Sequence, residues 1–188
     1  MAPAPSPEQT EKVQAALKRA RQLLAERDPK GAAAAVKEAQ QEAGEGPLLD
    51  TIEPTASLTH YVGEFWKAVQ SAMPMLSGSE ITVGETAVFV IQGGPDRLLI
   101  RTAGQNREYN SKTLPAGLAR KIAENWMDKS AASKVIVGAF LAVDPMMLSN
   151  SGRDKARRLW NEAAAAGADV TDLLKVLDEP APEAKPGA

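Results

Sequence analysis

Cysteine is absent from the 188 residues, which removes disulfides, thiol nucleophiles and thiolate metal sites together. Histidine is nearly absent. His60 stands alone, so one chain supplies no multi-histidine metal centre. Aromatic residues make up 4%, which obliges the core to rely on Ala, Leu, Val and Ile. Neither sign of charge dominates: a net charge of −2 generates no general field for polyanions or anionic lipid, although it leaves room for a local basic patch. No run approaches the roughly 18 uninterrupted apolar residues of a membrane span. The opening "MAPAPSPEQTEK" has neither the basic nor the apolar region of a secretory signal, so a cytoplasmic protein is expected.

What is present is ordinary for a globular protein, with 44% hydrophobic and 24% charged residues and length enough for one domain or two small ones. Residues 1–7 are rich in Ala and Pro and residues 178–188 in Pro, Ala and Glu; both lack the apolar content to offset chain ordering and are expected to be mobile. Three zones lie between. In the first, an N-terminal helical hairpin over 8–46, Val13, Leu17, Ala20 and Leu24 step along one helix face. Asp28-Pro29 suits a cap followed by a first helical position, and "GEGP" ends the second helix. A further helix over 48–76 carries Leu58, Tyr61, Val62, Phe65, Trp66, Val69 and Met73 as one stripe, with Pro74 ending or kinking it.

The second zone, 79–110, changes period from helical to alternating. Strands are predicted near 80–83, 86–92, 97–103 and 106–109, with turns at Gly93-Gly94-Pro95-Asp96 and Gly104-Gln105-Asn106. So small a sheet, or partial barrel, needs a helix to pack on. The third zone, 115–177, is helical again. Pro115 suits a helix start, Leu118, Ile122 and Trp126 share a face, and Val135, Ile136, Ala139, Phe140 and Val143 mark a second helix. Gly167 suits the C-terminal cap of a third helix over 153–166, and Asp169 caps a short last one with Leu173, Leu174 and Leu177.

Two segments repeat a small–large–small stripe at i, i+4 and i+7: Ala32/Val36/Ala39 and Ala156/Trp160/Ala163. Both resemble the second helix of a tetratricopeptide-repeat hairpin, with Ala20 and Leu23, and Gly138 and Leu141, at the matching small and large positions of the first helices. The resemblance implies paired antiparallel helices. A working solenoid of that kind stacks three or more repeats, and here a sheet-forming segment separates two, so no family binding residue carries over. Residues 60–175, from "EFWKAV" through "GPDRLLIRTAGQNREYNSKTLPAGLARKIAENW" to "ARRLWNEAAAAG", also resemble a module of uncharacterised bacterial proteins of planctomycete type, which implies an architecture and no mechanism.

Candidate chemistry is sparse. His60 has the titration range of a general base, but no nucleophile is fixed beside it, and Ser57 lies one helical turn earlier. Glu80/Glu85 and Glu124/Asp128 are available carboxylate pairs without an evidently apolar setting that would split their acidities. Gly93-Gly94-Pro95 lacks the Lys and Ser/Thr of a phosphate-binding loop and reads as a hairpin turn, as does Gly84. Arg97, Arg101, Arg107 and Lys112 cluster around the sheet, with Arg97 and Arg101 on one strand face; this is the candidate polyanion site, with Tyr109 the nearby aromatic. Arg153, Lys155, Arg157 and Arg158 form a second basic run, and Trp66, Trp126 and Trp160 are read as core anchors.

These readings converge on an α+β fold in which tetratricopeptide-like hairpins flank and pack on a small antiparallel sheet of three or four strands, residues 47–177 forming the α+β domain. The function expected is a non-enzymatic interaction module, an adaptor or scaffold that binds another protein, without catalytic residues, metal or cofactor. The alternative is a small-barrel binder of nucleic acid or another polyanion through Arg97, Arg101, Arg107 and Lys112, with nucleic acid the less favoured partner and no membrane contact expected.

Overall fold

The structure is a computed structural model that describes residues 4–148 and 151–181. Helix α1 (Pro7–Ala25) starts at Ser6, whose hydroxyl accepts the Gln9 N–H at 3.1 Å, with Pro7 in the first turn. Its predicted stripe is buried. α1 stops in a left-handed residue at Arg27 (φ 57°): the Asp28 N–H returns to the Leu23 carbonyl at 2.8 Å and the Arg27 N–H to Leu24 at 3.0 Å. That is the bonding of a Schellman stop, which usually employs glycine. The Asp28 carboxylate then accepts the Gly31 N–H at 2.9 Å and starts α2 (Pro29–Ala43), which packs on α1 and α3 and buries Ala32, Val36 and Ala39. Helix α3 (Leu48–Ala72) buries Leu58, Val62, Phe65, Trp66 and Val69, leaves Tyr61 half-buried, and tightens at Pro74 into a 3-10 turn, Met73–Leu76.

Strands β1 (Glu80–Val83), β2 (Thr86–Gly94), β3 (Arg97–Thr102) and β4 (Gln105–Tyr109) form one antiparallel sheet in the order 1-2-3-4. It is open, with β1 and β4 as edges, so the sheet and not the partial barrel describes it. Ile81, Val88, Val90, Leu98 and Ile100 form its buried face, packed toward the 3-10 turn and α4. Two turns differ from expectation. Gly93 and Gly94 belong to β2, and the β2–β3 turn is Pro95-Asp96; a Cβ on Gly93 would lie 1.8 Å from the Met73 carbonyl oxygen, so this glycine lets sheet and 3-10 turn approach. The β3–β4 turn is Ala103-Gly104, both at positive φ (48° and 77°), as a two-residue hairpin turn of the primed type demands.

Helices α4 (Ala116–Trp126), α5 (Ala131–Val143), the single turn α6 (Pro145–Leu148), α7 (Gly152–Ala165) and α8 (Thr171–Val176) complete the described chain. α5 and α7 make the second hairpin. Its Gly138 faces Trp160, where a Cβ would fall 2.4 Å from the indole nitrogen, and that nitrogen donates to the Val135 carbonyl at 3.1 Å. Phe65 and Phe140 stack with centroids 4.0 Å apart, and Trp66 meets Phe140 edge-on at 5.7 Å, fastening α3 to α5. Fully burying each such ring is worth about 1.5–3 kcal/mol. Trp126 is not a core anchor. As the last residue of α4 it runs past the neighbours that cover Leu118 and Ile122, and it stands 48% exposed.

One apolar core runs from Val13 to Val176, so the 8–46 hairpin and the 47–177 region share a single interior. Parts of the two terminal segments contact the folded chain. Ser6 caps α1, and Asp178 and Glu179 are ion-paired to Arg157 and Arg21. Residues 1–3 and 182–188 lie outside the described residues, as do Ser149 and Asn150 of the connector. No helix among the described residues is long and apolar enough to cross a membrane.

Candidate functional site: a cleft beside the Arg27 latch

The left-handed turn after α1 aims Arg27 away from its own hairpin and into the rest of the protein. Its Nε donates to Asp144 Oδ2 at 2.9 Å, and the two side chains are 9% and 1% exposed. Nη1 donates to three carbonyls of the β4–α4 loop: Ser111 at 3.2 Å, Lys112 at 3.3 Å and Leu114 at 2.6 Å. The guanidinium also lies 5.0 Å from the Trp66 ring centre, within cation–π range. The same loop is held from other directions. Asp96 Oδ1 accepts the Ser111 N–H at 2.8 Å, and Asn110 Oδ1 accepts the N–H groups of Lys112 and Thr113 at 3.0 Å each.

Between this latch, α2 and α3 opens a cleft of about 740 Å³. Ala33, Val36, Ala56, Gly63 and the edge of Trp66 form its apolar part. Charge gathers at its rim. Asp28 and Asp96 are taken up by backbone N–H groups, Arg27 by Asp144, and Lys67 faces Glu64 at 3.5 Å. Lys30 and Lys112 are exposed, line the cleft, and have no side-chain partner among the described residues. His60 is also exposed there. Its ring meets Tyr61 edge-on at 5.1 Å, and no hydroxyl or carboxylate bonds to it among the described residues.

The structure divides the four residues of the expected polyanion site. Register pairs Phe89 with Arg101 and Gly94 with Arg97, which puts Arg97 and Arg101 on the outer sheet face, as expected. Arg107 opposes Ile100 and therefore belongs to the other face, and Lys112 lies in the cleft loop. The outer face also carries Glu80 opposite Phe89 and Glu108 opposite Leu99, which balance the two arginines. Glu108 bonds Arg97 at 2.8 Å and, first by that hydrogen bond and then by its charge, holds the guanidinium above its ordinary range. The aromatic on this face is Phe89, 42% exposed; Tyr109 opposes buried Leu98.

The Glu124/Asp128 pair also separates. Glu124 pairs with Arg120 at 2.6 Å, whereas Asp128 lies beyond the end of α4 and accepts the Ser130 N–H at 3.1 Å and the Ser133 hydroxyl at 2.6 Å, beside Ser130, the N-cap of α5. No group of three or more metal-ligating side chains gathers among the described residues. What residue patterns missed was the cleft itself. The motif "RDPKG" signals a helix stop and a new start, but nothing local announces that Arg27 crosses to a residue 117 positions later. Comparison with protein-family models, with curated proteins and with solved structures finds no match for the chain.

Proposed function

We propose that the chain is a non-enzymatic protein–protein interaction module, an adaptor or scaffold, and that the cleft between α2, α3 and the β4–α4 loop is its docking site. The observation that carries this reading is a cleft with fixed walls and an uncommitted rim. Arg27 immobilises the loop, while Lys30 and Lys112 face the opening without side-chain partners among the described residues. A fixed wall lowers the ordering cost of binding. An apolar strip of Ala33, Val36 and Ala56 below cationic lysines suits an extended partner segment with one apolar side chain and a neighbouring carboxylate.

The test is a charge reversal at the rim. Purified chain is cross-linked to partners in cell extract alongside the Lys30→Glu/Lys112→Glu variant, and the cross-linked positions are mapped. Cross-links that concentrate around the cleft and are lost in the variant support the reading. Partners captured equally by both, or a monomeric chain that captures nothing reproducibly, overturn it.

A further inference from the structure

Near the N-terminal half of α3, where Arg21 meets Thr55, three arginines from helices distant in sequence converge on the acidic segment Asp178–Glu179. Arg21 of α1 is pre-set: its Nε and Nη2 donate to the buried Thr55 hydroxyl at 3.1 and 2.9 Å, which leaves Nη1 directed at Glu179. Arg157 of α7 pairs with Asp178 at 3.3 Å. Arg153, one turn earlier on α7, donates Nη2 to the Val176 carbonyl at 2.6 Å, while its Nε is buried without a hydrogen-bond partner among the described residues. Burial, and next the neighbouring charge of Arg157, hold the Arg153 guanidinium below its ordinary range. Beyond Glu179, Pro180 and Ala181 border a groove of about 520 Å³ along Gln14, Lys18 and Gln22 of α1.

Like charges gathered this closely repel unless an anion lies among them. The strap of Asp178 and Glu179 meets that need in part, and the unsatisfied Nε marks where it falls short. An arginine whose rotamer is already fixed by Thr55 loses little freedom when it takes a carboxylate. We propose that Arg21, Arg153 and Arg157, with the adjoining α1 groove, form a recognition site for an acidic peptide segment of a partner protein, and that Asp178–Ala181 occupies it in cis as an autoinhibitory strap. The site stands apart from the Lys30/Lys112 cleft and does not depend on its role.

A strap joined to its site by a few residues competes at an effective concentration on the order of millimolar, so neutralising it unmasks binding in trans. The experiment measures fluorescence anisotropy of a labelled synthetic peptide copying residues 176–188 against the full chain and its Asp178→Asn/Glu179→Gln variant. The variant is expected to bind about tenfold more tightly than wild type, as displacement of a millimolar competitor implies for a peptide of roughly 100 μM affinity. Adding Arg157→Gln or Arg21→Gln to that variant is expected to remove most of the gain. Arg157 is half-exposed, so its replacement leaves the fold intact, and unchanged thermal unfolding confirms that. Equal binding by wild type and strap variant overturns the proposal, as does a gain that survives both arginine changes. Displacement of the peptide by a single-stranded oligonucleotide at lower concentration than by unlabelled peptide also overturns it.

Discussion

Arg27 and Asp144 form the most buried ion pair of the described protein, and they join the turn of the N-terminal hairpin, between α1 and α2, to the start of α6. Arg27 holds a left-handed conformation where glycine would be unstrained, at a cost of about 1–2 kcal/mol for a side chain bearing Cβ. Losing one partner of a buried pair costs roughly 3–5 kcal/mol, so the guanidinium outweighs the backbone penalty.

Arg27→Gly relaxes the turn and removes the latch, and urea unfolding is expected to show a net loss of about 2–4 kcal/mol. Arg27→Met keeps the strain and loses more. A reversal of that order, or a loss below about 1 kcal/mol for Arg27→Met, would mean the latch does not hold the hairpin. Hydrogen exchange should quicken in α1 and α2 in both variants before it does in α5.

Gly138 and Trp160 make the contact that sets the α5–α7 separation. A methyl group at position 138 gains about 1 kcal/mol of helix propensity and meets the indole nitrogen, whose displacement also strips the bond to Val135. Overpacking of this kind costs about 1–3 kcal/mol or slightly more, so Gly138→Ala is expected to destabilise by about 1–2 kcal/mol net. Trp160→Phe removes the atom that collides. In that background Gly138→Ala should become neutral or stabilising, and a double-mutant cycle that shows no coupling would refute the contact.

Two exposed carboxylates report on helix starts through pH. Hydrogen bonds from Ser130 and then Ser133 hold Asp128 below its ordinary value of 3.8, and the backbone N–H of Thr171, followed by its side chain, does the same for Asp169. A carboxyl group lowered in the folded state stabilises above its unfolded value and ceases to do so as pH falls through the folded one. The melting-temperature deficit of Asp128→Ala and of Asp169→Ala should therefore be full near neutral pH and shrink below 3.8. A deficit that persists undiminished at the acid end would show that neither carboxylate acts through its charge.

Much of the secondary structure was legible because each element announces itself locally. The 2-residue alternation of Leu98 and Ile100 with Arg97, Leu99 and Arg101 reads correctly as a strand with one buried face, and Asp28-Pro29 reads correctly as a cap and first turn. Gly167 ends α7 at φ 95°, as its place after the alanine run suggests. Failures came where meaning depends on distant neighbours. Gly93 looks like a turn residue until Met73 is placed against it, and Trp126 continues an apolar stripe one turn beyond the elements that cover it. The basic residues of the sheet failed for another reason: proximity in sequence does not decide the face, and each hairpin turn reassigns it. Arg107 is therefore opposite Ile100 while Arg101 is opposite Phe89.

That reassignment yields the last prediction. The outer sheet face has Arg97 and Arg101 against Glu80 and Glu108, so its formal charge sums to zero, and the wild-type chain is expected to show no salt-sensitive retardation of a single-stranded oligonucleotide. Neutralising the acids in Glu80→Gln/Glu108→Gln frees Arg97 from Glu108 and leaves Arg101 on a face with no opposing carboxylate, beside exposed Phe89, a surface on which a base can stack. Each phosphate neutralised on a single strand contributes about −0.7 to the slope of log K against log salt, so the variant should bind with a slope of about −1.4. Arg107→Gln, on the other face, should leave that slope unchanged, whereas Arg101→Gln should halve it. Steep salt dependence in the wild-type chain, or equal sensitivity to Arg107 and Arg101, would contradict the register that separates them.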